Sequence, residues 1–476
     1  MLKHPIRLIA TALVALCVVA LAGRAVAAEK LPNFVLIFTD DQGYQDIGCF
    51  GSPNIKTPNL DNMAKEGMKF TDFYCGAPVC SASRAALMTG CYCARTGVTG
   101  VFFPNRGYKG LNPEEVTVAE VLKQKGYATI CIGKWHLGDE KPFLPIRQGF
   151  DSYLGIPYSN DMSVNPKMSV AKNCVWREGM TEEKMRNEKP RRNKVPLLRN
   201  DEVVEYPTDQ SLLTKRYTEE GVKFIKANKD RPFFLYMPHT MPHVPLFASE
   251  QFKGKSARGL YGDVIEEIDW SVGQILKALK DAGVDDNTLV VYTSDNGPWL
   301  SKGKAGGCAL PLRDGKFTVY EGGMRMPCIM RWPGHVPAGK TCDQVAATMD
   351  LMPTFAALAG CKVPDDRVID GRSIVPLLEG KPGAKSPHEA FFYRGKAVRA
   401  GKWKLIQGGG KRPKKGEKPT GPNAQLYDLS TDISEKNNVA AENPEVVERL
   451  MALLKKHNEE IKANGRPVGT LQTQKK

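Results

Sequence analysis

The order of apolar and polar runs predicts an α/β fold: a large, mostly parallel central sheet flanked by helices, followed by a smaller C-terminal α+β part with an antiparallel sheet and one helix. Three observations predict it. A helix-period segment, a β-branched apolar run and a polar cluster follow one another three times, ending at Gly133–Gly138, His239–His243 and Ser294–Gly297. The apolar runs, such as Asn33–Thr39 (NFVLIFT), are continuous rather than alternating, as in strands covered on both faces. Past about Pro387 the pattern changes to short β-like runs between glycine- and lysine-rich turns.

Taken in order, Asn33–Thr39 is the first buried strand and ends in Asp40-Asp41-Gln42-Gly43. A second strand-like element leads to Cys80, where Pro78-Val79 precedes a helical run closed by Gly90. Asn112-Pro113-Glu114-Glu115 reads as a helix start, with a cap, an early proline and acids at the positive dipole end. That helix is expected to run through Val116, Ala119, Val121 and Leu122 to Gly126. Tyr127–Ile132 is then a strand delivering Gly133-Lys134-Trp135-His136-Leu137-Gly138. Helix Leu212–Asn228 precedes strand Phe233–Met237, and helix Gly262–Ala282 precedes strand Thr288–Thr293. Between them Lys184–Asn200 is basic and aperiodic and is expected to be an exposed insertion. Helix Leu351–Ala359 and Asp370-Gly371-Arg372-Ser373 close a large domain expected over 30–380. In the C-terminal part, 385–476, the runs Glu389–Tyr393, Ala397–Ala400, Trp403–Ile406 and Gln425–Leu429 suit a small sheet, and Asn443-Pro444 opens an amphipathic helix. Gly408–Pro419 is expected to be a mobile hairpin or linker.

A chain of 476 residues with 42% hydrophobic content can bury a large core. Lys3 and Arg7, the apolar run Leu8–Gly23 and Ala25-Val26-Ala27 read as a secretory signal peptide over 1–27. No other stretch is long and apolar enough to span a bilayer, so an exported protein, periplasmic or secreted and without stable membrane insertion, is expected. The net charge of +15 favours encounter with polyanions. Basic residues concentrate in Lys184–Arg199 and Lys402–Lys418, but no nucleic-acid-binding motif accompanies them, and each reads equally as a solvated loop. Of 12 cysteines, Cys17 leaves with the signal; disulfides among the rest are plausible and their pairing is open. Cys91 and Cys93 lack the spacing and histidine company of a zinc site.

The polar clusters carry the chemistry. Adjacent carboxylates Asp40 and Asp41 at a strand end need a cation or a network to neutralise them; the alternative is a solvated turn. Cys80 opens a helix whose N-terminus favours an anion and lowers a thiol pKa, and Arg84 adds a guanidinium suited to tetrahedral oxyanions. By these criteria Cys80 is either a reactive thiol beside an anion pocket or a buried structural cysteine. Asp295-Asn296 is either an oxygen-ligand pair or an Asx turn. Lys134 and His136 alternate along an extended stretch, so both are expected to point the same way.

The string Cys80-Ser81-Ala82-Ser83-Arg84, followed by Ala85-Ala86-Leu87-Met88-Thr89-Gly90, resembles the signature of type I sulfatases, with alanine at Ala82 where the commoner pattern has proline. The resemblance extends over roughly Asn33 to Arg372 and, around Gly149–Asp161, is strongest to arylsulfatase A-like members. It implies the alkaline phosphatase-like fold and conversion of Cys80 to Cα-formylglycine by a formylglycine-generating maturation enzyme. It also implies one divalent ion, Ca²⁺ with Mg²⁺ as the alternative, on Asp40, Asp41, Asp295, Asn296 and the modified Cys80. By the same resemblance Lys134 contacts sulfate and formylglycine, and His136 is the base that breaks the sulfated hemiacetal. His243, in H-x-P, and Lys316 stand at the leaving-group oxygen, Ser159 touches the sulfate, and His239 is the rival of His243. The implied reaction is hydrolysis of an aryl or carbohydrate sulfate ester, with a sulfated small molecule or glycan as partner. Two other functions fit the same residues: a phosphate or phosphonate monoester hydrolase of the superfamily, and a sulfated-glycan binding protein in which Cys80 stays a thiol.

Overall fold

The computed structural model describes residues 30–106, 108–408 and 424–471. The expected signal peptide and most of the Gly408–Pro419 hairpin lie outside the described residues. The elements that position the site are β1 (Asn33–Thr39), α1 (Pro58–Glu66), β2 (Met68–Tyr74), α2 (Cys80–Thr89), α3 (Val118–Lys123), β3 (Ala128–Ile132) and β4 (Ser152–Gly155). They continue with β5 (Ser169–Trp176), β6 (Leu197–Arg199), β7 (Glu202–Tyr206), α4 (Leu213–Ala227), β8 (Phe233–Pro238), α5 (Leu260–Asp281), β9 (Thr288–Ser294), β10 (Arg325–Arg331), β11 (Lys340–Cys342), β12 (Ala346–Ala347) and α6 (Leu351–Ala359). The C-terminal part contributes β13 (Phe391–Tyr393), β14 (Ala397–Ala400), β15 (Trp403–Ile406), β16 (Gln425–Asp428) and α7 (Pro444–Ala463).

Twelve strands form one sheet in the order β11-β2-β10-β9-β1-β8-β3-β4-β6-β7-β5, with β12 on β2. Its centre, β9-β1-β8-β3-β4, is wholly parallel. All seven residues of β1 are buried, because strands flank both its edges and side chains cover both its faces. The β1 side chain Phe34 stacks on Phe355 of α6 at 4.4 Å between ring centroids. The flanks are mixed: β10 runs antiparallel to β9 and to β2, and β6 antiparallel to β4 and β7, while β11 and β12 run parallel to β2 and β5 parallel to β7.

The smaller sheet, β13-β14-β15-β16, is antiparallel throughout. One of its faces is covered by α7 through Val446, Leu450 and Leu454. Phe391, Tyr393 and Tyr427 pack against Tyr74, Met324 and Met326 of the large sheet region. Lys404, fully buried, pairs at 2.8 Å with Glu321 and at 2.8 Å with Glu435. Glu321 also accepts from Tyr74 Oη at 2.7 Å and from Tyr393 Oη at 2.8 Å, so the segment preceding β10 is tied to the small sheet.

Three expectations are corrected. The helix after Asn112 begins only at Val118, because Thr117 and Glu120 form a capping box there while Asn112 closes a turn on the Glu114 and Glu115 amides. The stretch 184–200 is not wholly an exposed insertion: Leu197 and Leu198 are buried in β6, inside the large sheet. The segment holding Lys134 and His136 is not extended, since His136 adopts φ 59°. The eleven described cysteines are all unbridged.

Candidate active site

Each of the five central parallel strands delivers a predicted polar cluster at its carboxyl end, where open parallel sheets bind ligands. β9 leads to Asp295-Asn296, β1 to Asp40-Asp41, β8 to His239 and His243, β3 to Lys134 and His136, and β4 to Ser159. The backbones stay laced past the strands: Asp295 N donates to Thr39 O at 3.0 Å, His239 N to Phe38 O at 2.8 Å, Lys134 N to Pro238 O at 2.7 Å and Trp135 N to Ile156 O at 3.1 Å. This close approach requires Gly133, where a Cβ would lie 1.9 Å from the Pro238 carbonyl oxygen. Asp41 and His136 hold left-handed backbone, φ 63° and 59°, a conformation kept at functional turns when the surroundings over-determine it. Buried Asp46 fixes the turn after β1, accepting from Gly43 N at 2.6 Å and Cys308 N at 2.8 Å.

Cys80 is the first residue of the wholly buried helix α2. Lys316 Nζ lies 3.8 Å from Cys80 Sγ and 2.7 Å from the Asp41 carboxylate. Arg84, one turn into α2, donates to Asp295 Oδ2 at 2.9 Å and to the Lys134 carbonyl at 2.8 Å, and lies 3.6 Å from Asp40. Lys134 Nζ contacts Asp40 Oδ2 directly. His243 Nε2 is 3.6 Å from Asp41, and its ring lies within 3.3 Å of Ser159 Oγ and 3.1 Å of Asn160 Oδ1. His136 Nε2 lies 2.9 Å from the Phe102 carbonyl. A carbonyl can only accept, so Nε2 carries the proton and Nδ1, buried without a partner, is left as a bare lone pair.

The charges set one another. Burial pushes the Asp40 carboxyl up, but Lys134, His243, Arg84 and Lys316 outweigh it and hold it well below the usual range. Asp295 moves the other way, to about 7, through burial and the neighbouring Asp40 charge. Burial alone would lower Lys316; Asp41, Cys80 and Asp40 overcome it and keep the ammonium charged. Burial pushes the Cys80 thiol up to about 12, against the lowering expected from its helix N-terminus, so as a plain thiol it is protonated at neutral pH. His136 is pushed well below its ordinary value by burial, then by Lys134.

Asp40, Asp41, Cys80 and His243 bring one donor atom each within 4.8 Å of one another. Asp40 Oδ1 and Asn296 Oδ1 are buried acceptors without a partner. Asn296 Nδ2 donates to Asp41 Oδ1 at 2.7 Å, which leaves its carbonyl free for a ligand. Oxygen donors from three carboxylates and an amide suit a hard divalent ion, and the two orphaned oxygens are the ones such an ion would satisfy. The residues therefore fit the group.

His239 lies apart from that donor set: both its ring nitrogens are buried without partners, and its ring faces Tyr217 at 6.4 Å. Sequence reading passed over Asn160, the Phe102 carbonyl, Asp46 and Trp299. Trp299 directly follows the Asp295–Pro298 turn and places its ring 5.8 Å from His243, with Lys316 Nζ 4.7 Å from its centroid. Its position beside Asp295-Asn296 was the available signal.

A family model described as Sulfatase matches residues 32–361, and one described as N-sulphoglucosamine sulphohydrolase, C-terminal, matches residues 313–464. The chain is 41% identical over 462 residues to arylsulfatase A of Homo sapiens, across 91% of this chain and 88% of that one. It is 40% identical over 395 residues to N-acetylgalactosamine-6-sulfatase of Rattus norvegicus, across 79% of this chain and 71% of that one. Among solved structures it is similar to Ps i-CgsB in complex with k-i-k-neocarrahexaose, with a TM-score of 0.75 at 33% identity over 93% of this chain and 96% of that one. It is also similar to the PsFucS1 sulfatase from Pseudoalteromonas sp., with a TM-score of 0.77 at 26% identity over 96% and 95%.

Proposed function

The chain belongs to the sulfatase family and is a sulfuric ester hydrolase, and from that premise we propose that it cleaves a carbohydrate or aryl sulfate ester with Cys80 converted to Cα-formylglycine beside one divalent ion. The observation that carries this reading is the meeting of Cys80, Lys316, Asp41 and the orphaned oxygens of Asp40 and Asn296 at one buried point. Formylglycine in its hydrated form supplies an oxygen nucleophile for sulfur, and the ion, Ca²⁺ or Mg²⁺, supplies charge neutralisation for sulfate oxygens. Asp40, Asp41, Asp295 and Asn296 would hold that ion.

The protein's own groups do the rest. Three carboxylates, Asp40, Asp41 and Asp295, face three fixed cations, Arg84, Lys134 and Lys316, so a divalent ion makes the pocket net positive and suited to an anionic ester. Lys134 and Lys316 draw the sulfate oxygens in without needing to change protonation. His243, steered by Ser159 and Asn160, and Lys316 stand where a departing alkoxide needs a proton or a positive charge. His136, bare at Nδ1, accepts the proton when sulfate is released.

A carbohydrate ester is supported by two relatives: one is named for a sulfated amino sugar, and one was solved with neocarrahexaose. Residues 30–380 make the catalytic domain in this reading and 385–476 the C-terminal subdomain. Export to the periplasm or beyond rests on the N-terminal sequence; among the described residues no helix is long and apolar enough to cross a membrane. The test is sulfate release by the purified protein and by Cys80→Ala. The variant should fold and release none; sulfate release by Cys80→Ala at the parental rate would overturn the nucleophile assignment.

A further inference from the structure

Beside His243 and Lys316, the leaving-group side of the site carries two aromatic rings, Trp299 and Phe317. Trp299 sits in a 5.5 Å edge-to-face contact with Phe317. Lys316 Nζ lies 4.7 Å from the Trp299 centroid and 5.4 Å from that of Phe317, so both rings border the ammonium that faces the leaving oxygen. Phe317 is 53% exposed and yet conformationally fixed: its φ is 75°, and its amide donates to the Pro78 carbonyl, two residues before Cys80, at 2.9 Å. A bulky residue held in left-handed backbone with about half of its surface in water is strained for little burial, which points to a surface kept for a ligand. The two segments are joined by Lys316 N donating to Pro298 O at 2.9 Å, so the rings move with the reacting centre.

The chemistry of the two rings selects their occupant. Aromatic faces are electronegative and attract positive edges, as the Lys316 and Lys302 ammoniums beside Trp299 demonstrate. The C–H face of a pyranose presents that same polarity. Lys302 is exposed, with Nζ 4.2 Å from the Trp299 centroid, and its four-carbon stem allows it to swing off the ring when a sugar arrives. It then stands beside the sugar as a free cation, in a chain of net charge +15.

We propose that Trp299 and Phe317 form the subsite for the leaving group, stacking on the C–H face of a sulfated pyranose, and that Lys302 favours pyranoses carrying a second anionic group. The inference rests on the sulfatase reading above and goes further by choosing carbohydrate over aryl ester and charged sugar over neutral.

The experiment compares kcat/KM for 4-nitrophenyl sulfate with that for a panel of galactoses and amino sugars, mono- and disulfated at each ring position. Wild type should favour disulfated pyranoses. Trp299→Ala and Phe317→Ala should each lower kcat/KM on them about tenfold, mainly through KM, with Trp299→Phe restoring most of it. Lys302→Gln should shrink the preference for the second anion about fivefold. Turnover of 4-nitrophenyl sulfate with none of any pyranose, or alanine variants with parental KM on the sugars, would overturn the subsite. Failure to release sulfate from any compound would instead count against the sulfatase reading itself.

Discussion

The ammonium of Lys316 lies 3.8 Å from the sulfur of Cys80, although 236 residues separate them in sequence. The same ammonium is 2.7 Å from Asp41, so one lysine spans Cys80 and Asp41, the nucleophile and a metal-side carboxylate in the proposed reading. In the proposed reading, replacing it with methionine removes a preorganised charge aimed at the leaving oxygen. Lys316→Met should lower kcat about 10²- to 10³-fold with a smaller change in KM, as for loss of one fixed donor. Steady-state kinetics checks this, and a parental kcat would take Lys316 out of the leaving-group role.

Arg84 has no exposure and holds Asp295 through two nitrogens. Truncation leaves Asp295 buried and uncompensated, so Arg84→Ala should destabilise the fold by about 3–5 kcal/mol. Arg84→Lys should recover part of that and little activity, because an ammonium cannot span Asp295 and the Lys134 carbonyl together. Denaturant titration measures the first effect and sulfate release the second.

Much of this site is legible in the sequence, for a physical reason. Asp40-Asp41, Lys134 and His136, His243 and Asp295-Asn296 each follow an apolar run, and a parallel sheet brings such run ends to one edge. The antiparallel flank was not legible, because β6 is a three-residue run and β10 is bounded by Arg325 and Arg331, and neither carries a mark of the direction in which it pairs. Nor could sequence reveal the Phe102 carbonyl that sets the His136 tautomer, since every residue carries a carbonyl. Lys404 falls in the strand-like run Trp403–Ile406 at the start of a basic stretch, and only the packed Glu321 and Glu435 show that its ammonium is buried.

That ion cluster yields a prediction of its own. Lys404→Met leaves two buried carboxylates against each other and should cost about 3–5 kcal/mol of stability. Adding Glu321→Gln to Lys404→Met should recover part of it, and a double-mutant cycle in denaturant reads the coupling. Simple additivity of the two losses would mean the pair is not coupled.

His136 should stay neutral to unusually low pH. Burial and the nearby Lys134 charge push its pKa well below 6.5, and in its proposed role as base it works only when unprotonated, so activity should persist as pH falls past the ordinary imidazole range. Removing a neighbouring cation raises that pKa. The acid limb of the residual kcat profile in Lys134→Met should therefore move to higher pH. A limb that stays put would separate His136 from the acid-side titration.

Metal binding should register in stability as well as rate. An ion held only by the folded chain adds about 2.7 kcal/mol at a hundredfold excess over its Kd. Ca²⁺ or Mg²⁺ added after chelation should raise the Tm, and Asp40→Asn should abolish most of that rise. An Asp40→Asn protein that gains the full increment would place the ion elsewhere.

The most direct test of the account is the chemical state of residue 80. Mass spectrometry of the proteolytic peptide spanning Val79–Arg84, from protein made in a host with the maturation enzyme, should find an aldehyde in place of the thiol, in proportion to sulfatase activity. Fully active protein whose peptide carries an intact Cys80 thiol would contradict it.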